Sequence, residues 1–325
     1  MEGLSDSNAN IQMSEKISKE RGVSGLKIER ILKWLSDSGY YYEFTGDPQT
    51  EIAGFSSLSR YQKTSLTWIK KEADYNSLGR PVDITCAVAE NGIDVAFENV
   101  IRTPDSKNVF FAILHEFWGM KKDWGFIGAG TVISEEAVID PTAFIGCNCS
   151  IVGNVSIGAH TVVEHNVIIQ GRVRIGQNCY IQSQAVIGID GFGYSQDKQT
   201  KKKTMIEHFG GVDIGNDVFI GSHVNIARGT IDDTIISNGV KIAPSTHIGH
   251  NNIIGADTAI ICSVLYGSVC TGRKSYITAS TVGNQMVIGN NSVVGMGSVV
   301  TKPIGDNQIA YGIPAREIKA NHSGL

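Results

Sequence analysis

Large aliphatic residues recur at every sixth position through the middle of the chain. The series runs without exception from Ile127 to Ile187, and each member is isoleucine or valine. An amphipathic helix repeats its apolar positions about every 3.6 residues and a half-buried strand about every 2, so neither element alone explains this period. The period predicts short strands joined by regular corners, with one large side chain pointing inward from each strand. Because one such unit cannot bury its own face, stacked units share a continuous core.

The pattern is interrupted and then continues towards the C-terminus. It resumes at Ile214, changes phase within residues 227–235 and slips again near Tyr266. Glycine follows many of the aliphatic anchors, where a positive φ or a tight turn would suit it. The sequence therefore predicts a parallel β-solenoid of hexapeptide units over residues 124–304, with an inserted loop at residues 189–211.

The N-terminal part of the chain has a different pattern. Ile28 and Leu35 fall on one helical stripe, and short β-rich segments separate this stripe from a second helical stretch. These features predict a small α/β domain over residues 23–123. Residues 1–22 are polar and predict a mobile lead-in. Residues 305–325 are expected to form a C-terminal tail.

Composition narrows the classes of function. The 325 residues include 37 glycines and 7 prolines without a strict Gly-x-y period, which excludes a collagen-like chain and Pro-rich disorder. A net charge of −4 argues against a nucleic-acid-binding coat and a polybasic membrane-surface protein. No apolar run approaches the roughly 18 residues of a transmembrane helix, and the N-terminus lacks a signal-peptide core, so a cytoplasmic location in a bacterium is expected. The six cysteines are expected to be small buried thiols.

The six-residue repeat resembles that of the hexapeptide-repeat acyltransferases. Residues 311–316 (YGIPAR) match the ending common to this group. The resemblance implies a mainly β fold, namely a left-handed parallel β-helix with a small N-terminal α/β cap domain. It also implies a homotrimer whose active sites lie between neighbouring subunits. The handedness comes from the resemblance, because ordinary crossover connections are right-handed.

Local motifs narrow the resemblance to one family within the group. Residues 188–194 (GIDGFGY), 228–236 (RGTIDDTII) and 246–255 (THIGHNNIIG) look like those of the UDP-3-O-acylglucosamine N-acyltransferases, the LpxD family. The resemblance implies transfer of an acyl group from a thioester to the amine of a nucleotide-linked amino sugar. The thioester, carried by coenzyme A or acyl carrier protein, is a co-substrate, so no bound cofactor is expected.

His250 is the candidate catalytic base. It lies two residues after the inward Ile248, at the surface of a coil. An imidazole titrates near neutral pH and can therefore take the proton of an amine. The family's general base falls at this position, so the resemblance implies the same role. His247 precedes Ile248, should face outward, and is expected to bind substrate or to order its neighbour.

The resemblance also implies residues that bind the acceptor. Trp68 and Tyr75 correspond by position to two aromatics that sandwich the uracil base, and a flat aromatic pair can hold a flat base by stacking. Asp190 and Tyr194 are expected to face the sugar. Asn284 occupies the position of a second family histidine and is expected to contact substrate.

Three residues are assigned to the acyl donor. Main-chain N–H groups near Gly267 or Gly283 are expected to stabilise the oxyanion. Arg316, in the common C-terminal ending, is expected to contact the donor. Four lysines at positions 198 and 201–203 are expected to lie in a solvated loop, with phosphate binding as the alternative.

Some positions differ from the family pattern. An acidic residue near the family's histidine falls here on Ala243, the second histidine falls on Asn284, and a sugar-contacting asparagine falls on Lys71. These differences favour a relative that N-acylates another nucleotide-linked amino sugar of bacterial cell-surface glycan or lipopolysaccharide biosynthesis. The alternative is the lipid A enzyme itself.

Three further interpretations keep the solenoid and change its use. A sugar O-acyltransferase could use the same histidine. A γ-carbonic-anhydrase-like protein would hold zinc through three ligands, and His160 and His165 have the H-x₄-H spacing of such enzymes. Those proteins lack a cap domain, so no metal site is expected. A non-catalytic scaffold is the third interpretation, and the DGFGY and GHN segments argue against it.

Overall fold

The computed structural model describes residues 25–76, 83–95 and 97–322. The lead-in predicted at residues 1–22 lies outside them. The chain divides into two compact units, with the boundary between Lys121 and Lys122.

The second unit is a parallel β-solenoid with three sheets, which confirms the predicted solenoid. Successive short strands enter the three sheets in turn, and each pairs in parallel with the strand one coil further along, except that the last strand of sheet III pairs antiparallel with the one before it. Sheet I consists of Val132–Ile133, Ser150–Val152, Ile168–Gln170, Val186–Ile189, Asn225–Ala227, His247–Ile248, Val264–Leu265, Thr281–Val282 and Val299–Val300. Sheet II consists of Val138–Ile139, Val155–Ile157, Val173–Ile175, Val212–Ile214, Thr234–Ile236, Ile253–Ile254, Cys270–Thr271 and Val287–Ile288. Sheet III consists of Phe144–Ile145, Val162–Val163, Tyr180–Ile181, Phe219–Ile220, Lys241–Ile242, Ala259–Ile261, Tyr276–Thr278, Val293–Val294, Gln308–Tyr311 and Arg316–Ala320.

The inward positions form ladders of stacked aliphatic side chains. In sheet I, Ile151, Ile169 and Ile187 occupy paired positions on neighbouring strands, and all three are fully buried. Burial of one such side chain contributes roughly 1.5–3 kcal/mol. The ladder of isoleucine and valine read from the sequence is therefore the continuous core of the solenoid.

The period slips near Tyr266 because the coils there are one residue shorter. The next inward residue after Ile260 is Leu265, which is fully buried, whereas Tyr266 is 49% exposed. Leu265 pairs with Ile248 on one side and with Val282 on the other. The core thus stays continuous while the spacing along the sequence changes.

Several glycines that follow the anchors serve a close approach between coils and not a positive φ. A Cβ atom on Gly146 would lie 2.6 Å from the carbonyl carbon of Glu164 in the next coil. The positive φ of this corner falls two residues later, on Asn148 at 56°, and its counterpart one coil on is Asn166 at 56°. Of the two expected reasons for a glycine, a positive φ or a tight turn, Gly146 does not show the first, and backbone crowding between coils requires a glycine there.

Two insertions leave the solenoid at the corner between sheets I and II. The first spans residues 190–211 and the second residues 228–233. A backbone hydrogen bond of 2.8 Å from the N–H of Phe209 to the carbonyl of Thr230 ties one insertion to the other. The first insertion carries an antiparallel hairpin formed by Tyr194–Gln196 and Lys203–Met205.

The first unit is an α/β fold built on a five-stranded sheet. In spatial order the strands are Glu43–Thr45, Val100–Thr103, Cys86–Glu90, Ser65–Ile69 and Gly54–Phe55. The first pair is antiparallel and the others are parallel. Leu26–Lys27 pairs separately with Glu51–Ile52. The helices are Ile28–Asp37, Glu72–Asn76 and Ser106–Trp118, with a 3₁₀ turn at Leu58–Arg60. Within the described ranges, no helix has both the length and the apolar character needed to cross a membrane.

Candidate active site

His250 lies at the corner between sheets I and II, directly after the strand His247–Ile248. The side chain of Ile248 fills the core, while His250 is only partly buried. The two insertions flank the same corner. The imidazole is therefore placed outside the solenoid core, beside the least regular part of the fold.

The Nδ1 side of the His250 ring is held by the neighbouring Asn251. Nδ1 lies 3.0 Å from Oδ1 of Asn251 and 3.4 Å from Oγ1 of Thr230. The amide of Asn251 cannot turn around freely, because its Nδ2 donates a 2.9 Å hydrogen bond to the carbonyl of Asp232. Its Oδ1 also accepts hydrogen bonds of 3.0 Å from both the N–H and the hydroxyl of Thr230.

This arrangement decides which ring nitrogen of His250 carries the proton. Oδ1 of Asn251 can only accept, so Nδ1 of His250 must be the donor in that contact. The neutral ring then has its lone pair on Nε2. A neutral imidazole with a free Nε2 lone pair is the form that can take a proton from an amine.

Two glycines leave the space that the His250 ring occupies. A Cβ atom on Gly267 would lie 2.5 Å from Nε2 of His250, and one on Gly191 would lie 2.8 Å from its Cβ. Real Cβ atoms do not approach other atoms this closely, so any larger residue at either position would displace the ring. Gly267 belongs to the next coil and Gly191 to the first insertion. The pocket around the base is thus built from two separate segments.

The N–H groups expected to stabilise an oxyanion are already used within the protein. The N–H of Gly267 donates to Oδ1 of Asn284 over 2.9 Å, and that of Gly283 donates to the carbonyl of Val300 over 3.0 Å. Both N–H groups therefore already have an acceptor within the chain, and the oxyanion role expected of main-chain N–H groups near these glycines stays a prediction. Asn284 instead orders the glycine that faces the base.

His247 lies one strand position before the inward residue, as expected, and is half-buried. Its backbone pairs with Asn225 and Val264 in sheet I. Burial lowers the pKa of His247 below its usual value near 6.5. The neutral form of this second imidazole is therefore favoured close to the base.

The first insertion brings Asp190 beside the site and carries Tyr194 outward. Asp190 accepts a hydrogen bond of 2.6 Å from Nε of Arg228 and forms a 2.5 Å ion pair with its Nη2. This pair links the first insertion to the second, one residue before Gly191. Tyr194 is 41% exposed in the hairpin, where the ammonium of Lys203 lies 4.6 Å from its ring centroid.

Sequence reasoning missed His208, which is buried beside the base. Its ring centroid lies 5.3 Å from that of His250, with an angle of 79° between the planes. No motif points to this histidine, because its segment returns from an irregular insertion. The role of Asn251 was missed for a related reason, since only the side-chain contacts reveal it.

Trp68 and Tyr75 do not face each other in the N-terminal unit. Trp68 packs with Phe110 and Phe111, at 6.4 Å between ring centroids in each case, on one face of the five-stranded sheet. Tyr75 packs on the other face, 5.0 Å from Phe97. The two rings thus belong to different hydrophobic clusters of the unit, and the base sandwich expected between them stays a prediction.

Arg316 and the histidines of the zinc alternative lie elsewhere in the solenoid. Arg316 begins the last strand of sheet III and donates a 2.9 Å hydrogen bond to the carbonyl of Ala315. Nδ1 of His165 accepts a hydrogen bond of 2.9 Å from the N–H of Cys147, and His160 packs edge-on against Trp124. Among residues 25–76, 83–95 and 97–322, no three His, Cys, Asp or Glu side chains group in a way that could hold a metal ion.

Comparison with known proteins agrees with this fold. Residues 154–188 match the family described as bacterial transferase hexapeptide (six repeats). A UDP-3-O-acylglucosamine N-acyltransferase from Pseudomonas syringae pv. syringae is 35% identical over 238 residues, covering 67% of each chain. The enzyme of the same name from Bordetella parapertussis is 38% identical over 126 residues, which cover 38% of this chain, and the chain spans 35% of that relative's length.

A solved structure shares the solenoid. LpxA from Acinetobacter baumannii is similar with a TM-score of 0.55 and 28% identity, over 61% of this chain and 75% of that chain. One relative is thus 35% identical over 67% of its length, and the chain also carries the hexapeptide repeats. The chain belongs to the family of UDP-3-O-acylglucosamine N-acyltransferases.

Proposed function

We propose that the protein is an N-acyltransferase of lipopolysaccharide biosynthesis. It transfers an acyl group from a thioester, carried by coenzyme A or acyl carrier protein, to the amine of a nucleotide-linked amino sugar. The observation that carries the proposal is the His250 imidazole, whose Nδ1 is fixed by Asn251 and whose Nε2 faces the gap left by Gly267. The names of the relatives indicate a UDP-linked glucosamine derivative as the class of acceptor.

The reaction follows from the state of the ring. The amine nitrogen of the sugar attacks the thioester carbonyl carbon while Nε2 of His250 takes a proton from that nitrogen. The tetrahedral intermediate then collapses, the C–S bond breaks, and the thiolate leaves with the proton that His250 returns. General-base assistance of this kind contributes about 10²–10⁴-fold to the rate.

Asn251 takes over from a carboxylate only one of its two roles at a catalytic histidine, the orientation of the ring. A carboxylate would orient the ring and also stabilise its positive charge, whereas the amide orients the ring without adding charge. Ala243, at the position of the family's acidic residue, has no side chain that could orient the ring. The orienting partner of the base in this chain is thus the residue next to it.

The remaining residues of the corner serve binding. His247, Asp190 and Asn284 surround the base through the first insertion and the neighbouring coils, and we assign them to the acceptor side. Gly267 leaves room for the thioester next to Nε2. We assign Trp68, which is only partly buried in the N-terminal unit, to the base of the nucleotide. We assign Tyr194, on the hairpin, to the nucleotide and Arg316, on the last strand, to the donor.

The proposal includes the finer features of the fold that such an enzyme requires. The coil is left-handed, the protein is a homotrimer in the cytoplasm, and the His250 corner faces a cleft next to a second copy of the chain. A single solenoid leaves this corner open, and a neighbouring copy would enclose the thioester and exclude water.

A substrate screen tests the proposal. Purified protein is incubated with UDP- and dTDP-linked amino sugars, including UDP-3-O-acylglucosamine, and with acyl-coenzyme A or acyl carrier protein thioesters of several lengths. An amide product with the mass of one added acyl group supports the proposal. An ester product would show an O-acyltransferase instead, and no product with any pair would refute acyl transfer.

A further inference from the structure

His208 is a buried imidazole with one ring nitrogen that has no partner. Only 1% of the residue is exposed. Its Nδ1 lies 3.0 Å from the carbonyl oxygen of Ile206, while its Nε2 is buried without a hydrogen-bond partner in the described part of the chain. A buried polar atom left unpaired is unfavourable, so its presence beside the candidate base calls for a reason.

The contact with Ile206 decides the tautomer of His208. A carbonyl oxygen only accepts, so Nδ1 of the neutral ring carries the proton and Nε2 carries the lone pair. The buried edge of His208 is therefore the electron-rich edge of a neutral ring. This is the same tautomer as that of His250, reached through a different partner.

The lone-pair edge is turned towards the segment that touches the base. A Cβ atom on Gly191 would lie 2.9 Å from Nε2 of His208, 2.8 Å from Cβ of His250 and 3.0 Å from its Cδ2. Gly191 thus lies against both histidines. With ring centroids 5.3 Å apart and planes at 79°, the two imidazoles pack edge to face.

The backbone on both sides of His208 fixes its position. The N–H of Ile206 donates to the carbonyl of Gly193 over 2.9 Å, and the N–H of Phe209 donates to the carbonyl of Thr230 over 2.8 Å. Thr230 also contacts the Asn251 amide that orients the base. The same short loop therefore holds both the orienting amide and the second imidazole.

As a general base, His250 must be neutral before transfer, and it becomes an imidazolium when it takes the amine's proton. Two carboxylates of the insertions are already engaged, since Asp190 pairs with Arg228 and Asp233 with Arg172. A fixed dipole with its negative end near a developing positive charge stabilises that charge without moving.

We propose that His208 is a positioning residue that holds the plane of His250 and stabilises its protonated form through the buried Nε2 edge. The inference rests on the proposed function, because it assigns a task in the same proton transfer. It explains why an unpaired nitrogen is kept in a buried position. It also supplies the stabilisation that the neutral Asn251 does not.

Two variants separate this task from simple packing. His208→Phe keeps an aromatic ring of similar size and removes the lone pair, whereas His208→Gln keeps a side-chain acceptor. For His208→Phe, kcat should fall about tenfold while KM changes less than about twofold, because the lost interaction exists only after proton transfer. The melting temperature should not fall, because the variant also removes the unpaired buried nitrogen. His208→Gln should recover a measurable part of kcat.

The proposal would be overturned if His208→Phe kept the wild-type kcat. It would also be overturned if kcat fell only together with the melting temperature. A readout without turnover separates it from the proposed function. ¹⁵N NMR of the wild-type imidazoles should show His208 protonated on Nδ1 and unprotonated on Nε2 at neutral pH. The opposite tautomer would refute the inference even in an active enzyme, whereas failure of acyl transfer with every substrate pair would refute the shared function, and with it the inference.

Discussion

The side-chain amide of Asn251 fixes the imidazole of His250 across 3.0 Å between Oδ1 and Nδ1. The amide is itself fixed by its 2.9 Å hydrogen bond to the carbonyl of Asp232. A neutral side chain therefore sets the tautomer of the base from the adjacent position. The role proposed for His250 depends on this hydrogen bond.

Asn251→Gly should lower kcat about 10–100-fold, the range known for losing a residue that orients a metal-ligating histidine through its second ring nitrogen. Glycine tolerates the φ of 57° at this corner, so the backbone should survive while the amide is lost. The matched control is Asn166→Gly, at φ 56° on a coil distant in sequence, which should keep full activity. Steady-state kinetics on both variants check this, and equal kcat for the two would remove Asn251 from the mechanism.

Gly267→Ala should lower kcat about 10²-fold, because a misplacement of about 1 Å in a catalytic group has an effect of that size. The new methyl group would lie 2.5 Å from Nε2 of His250, so the ring must move. Gly305→Ala is the control, since its nearest atom would lie 3.5 Å away. Circular dichroism should show both variants folded. Full activity of Gly267→Ala would mean that the ring does not work from its observed position.

His247 should make the stability of the protein depend on pH below about 6.5, the usual pKa of an imidazole. Burial lowers its pKa in the folded protein. As the pH falls through about 6.5, the unfolded chain takes up the proton before the folded protein does, so stability is lost towards acid and is complete above that pH. His247→Gln removes the titrating group. The difference in melting temperature between about pH 7.5 and about pH 5.5 should therefore be smaller in the variant than in the wild type.

An equal acid dependence in wild type and His247→Gln would contradict this reading of the half-buried imidazole. His160→Gln is a suitable comparison, because its site lies on another coil beside Trp124. That variant should keep the wild-type pH dependence.

Asp190→Asn should weaken the contact between the two insertions. The substitution removes the charge that pairs with Arg228 across 2.5 Å, one residue before Gly191. Because this pair is partly exposed, the loss of stability should be small, on the order of 1 kcal/mol or less. The effect should appear as a raised KM for the nucleotide sugar, measured at saturating thioester. An unchanged KM would place Asp190 outside the acceptor site.

The regular part of the fold could be predicted because each coil repeats the same physical requirement. One inward aliphatic residue per strand is visible in the sequence, and Ile151, Ile169 and Ile187 stack as the period implies. The exact position of the shortened coil, at Leu265, could not be predicted. Removing one residue from a coil changes the spacing of the inward residues but not their type. Gly146 is needed because the backbone of the next coil packs against it, and a contact between coils is not visible in the sequence around Gly146.

The candidate site was predicted only where a motif marks it. His250 stands beside a repeating anchor, so its position on the surface of a coil follows from the period. The contributions of Asn251 and His208 depend on which side-chain atoms meet across the insertions, and no spacing encodes that. The packing of Trp68 and Tyr75 in two different hydrophobic clusters could not be predicted either, because the spacing of two aromatics does not tell which cluster each ring joins.

The most direct test of the central claim is the rate of acyl transfer by wild type and His250→Ala with the acceptor and donor that the screen identifies. The wild type should form an amide product, and His250→Ala should lower kcat by about 10²–10⁴-fold while the melting temperature stays near that of the wild type. Near-normal turnover by a folded His250→Ala protein would contradict the assignment of His250 as the base.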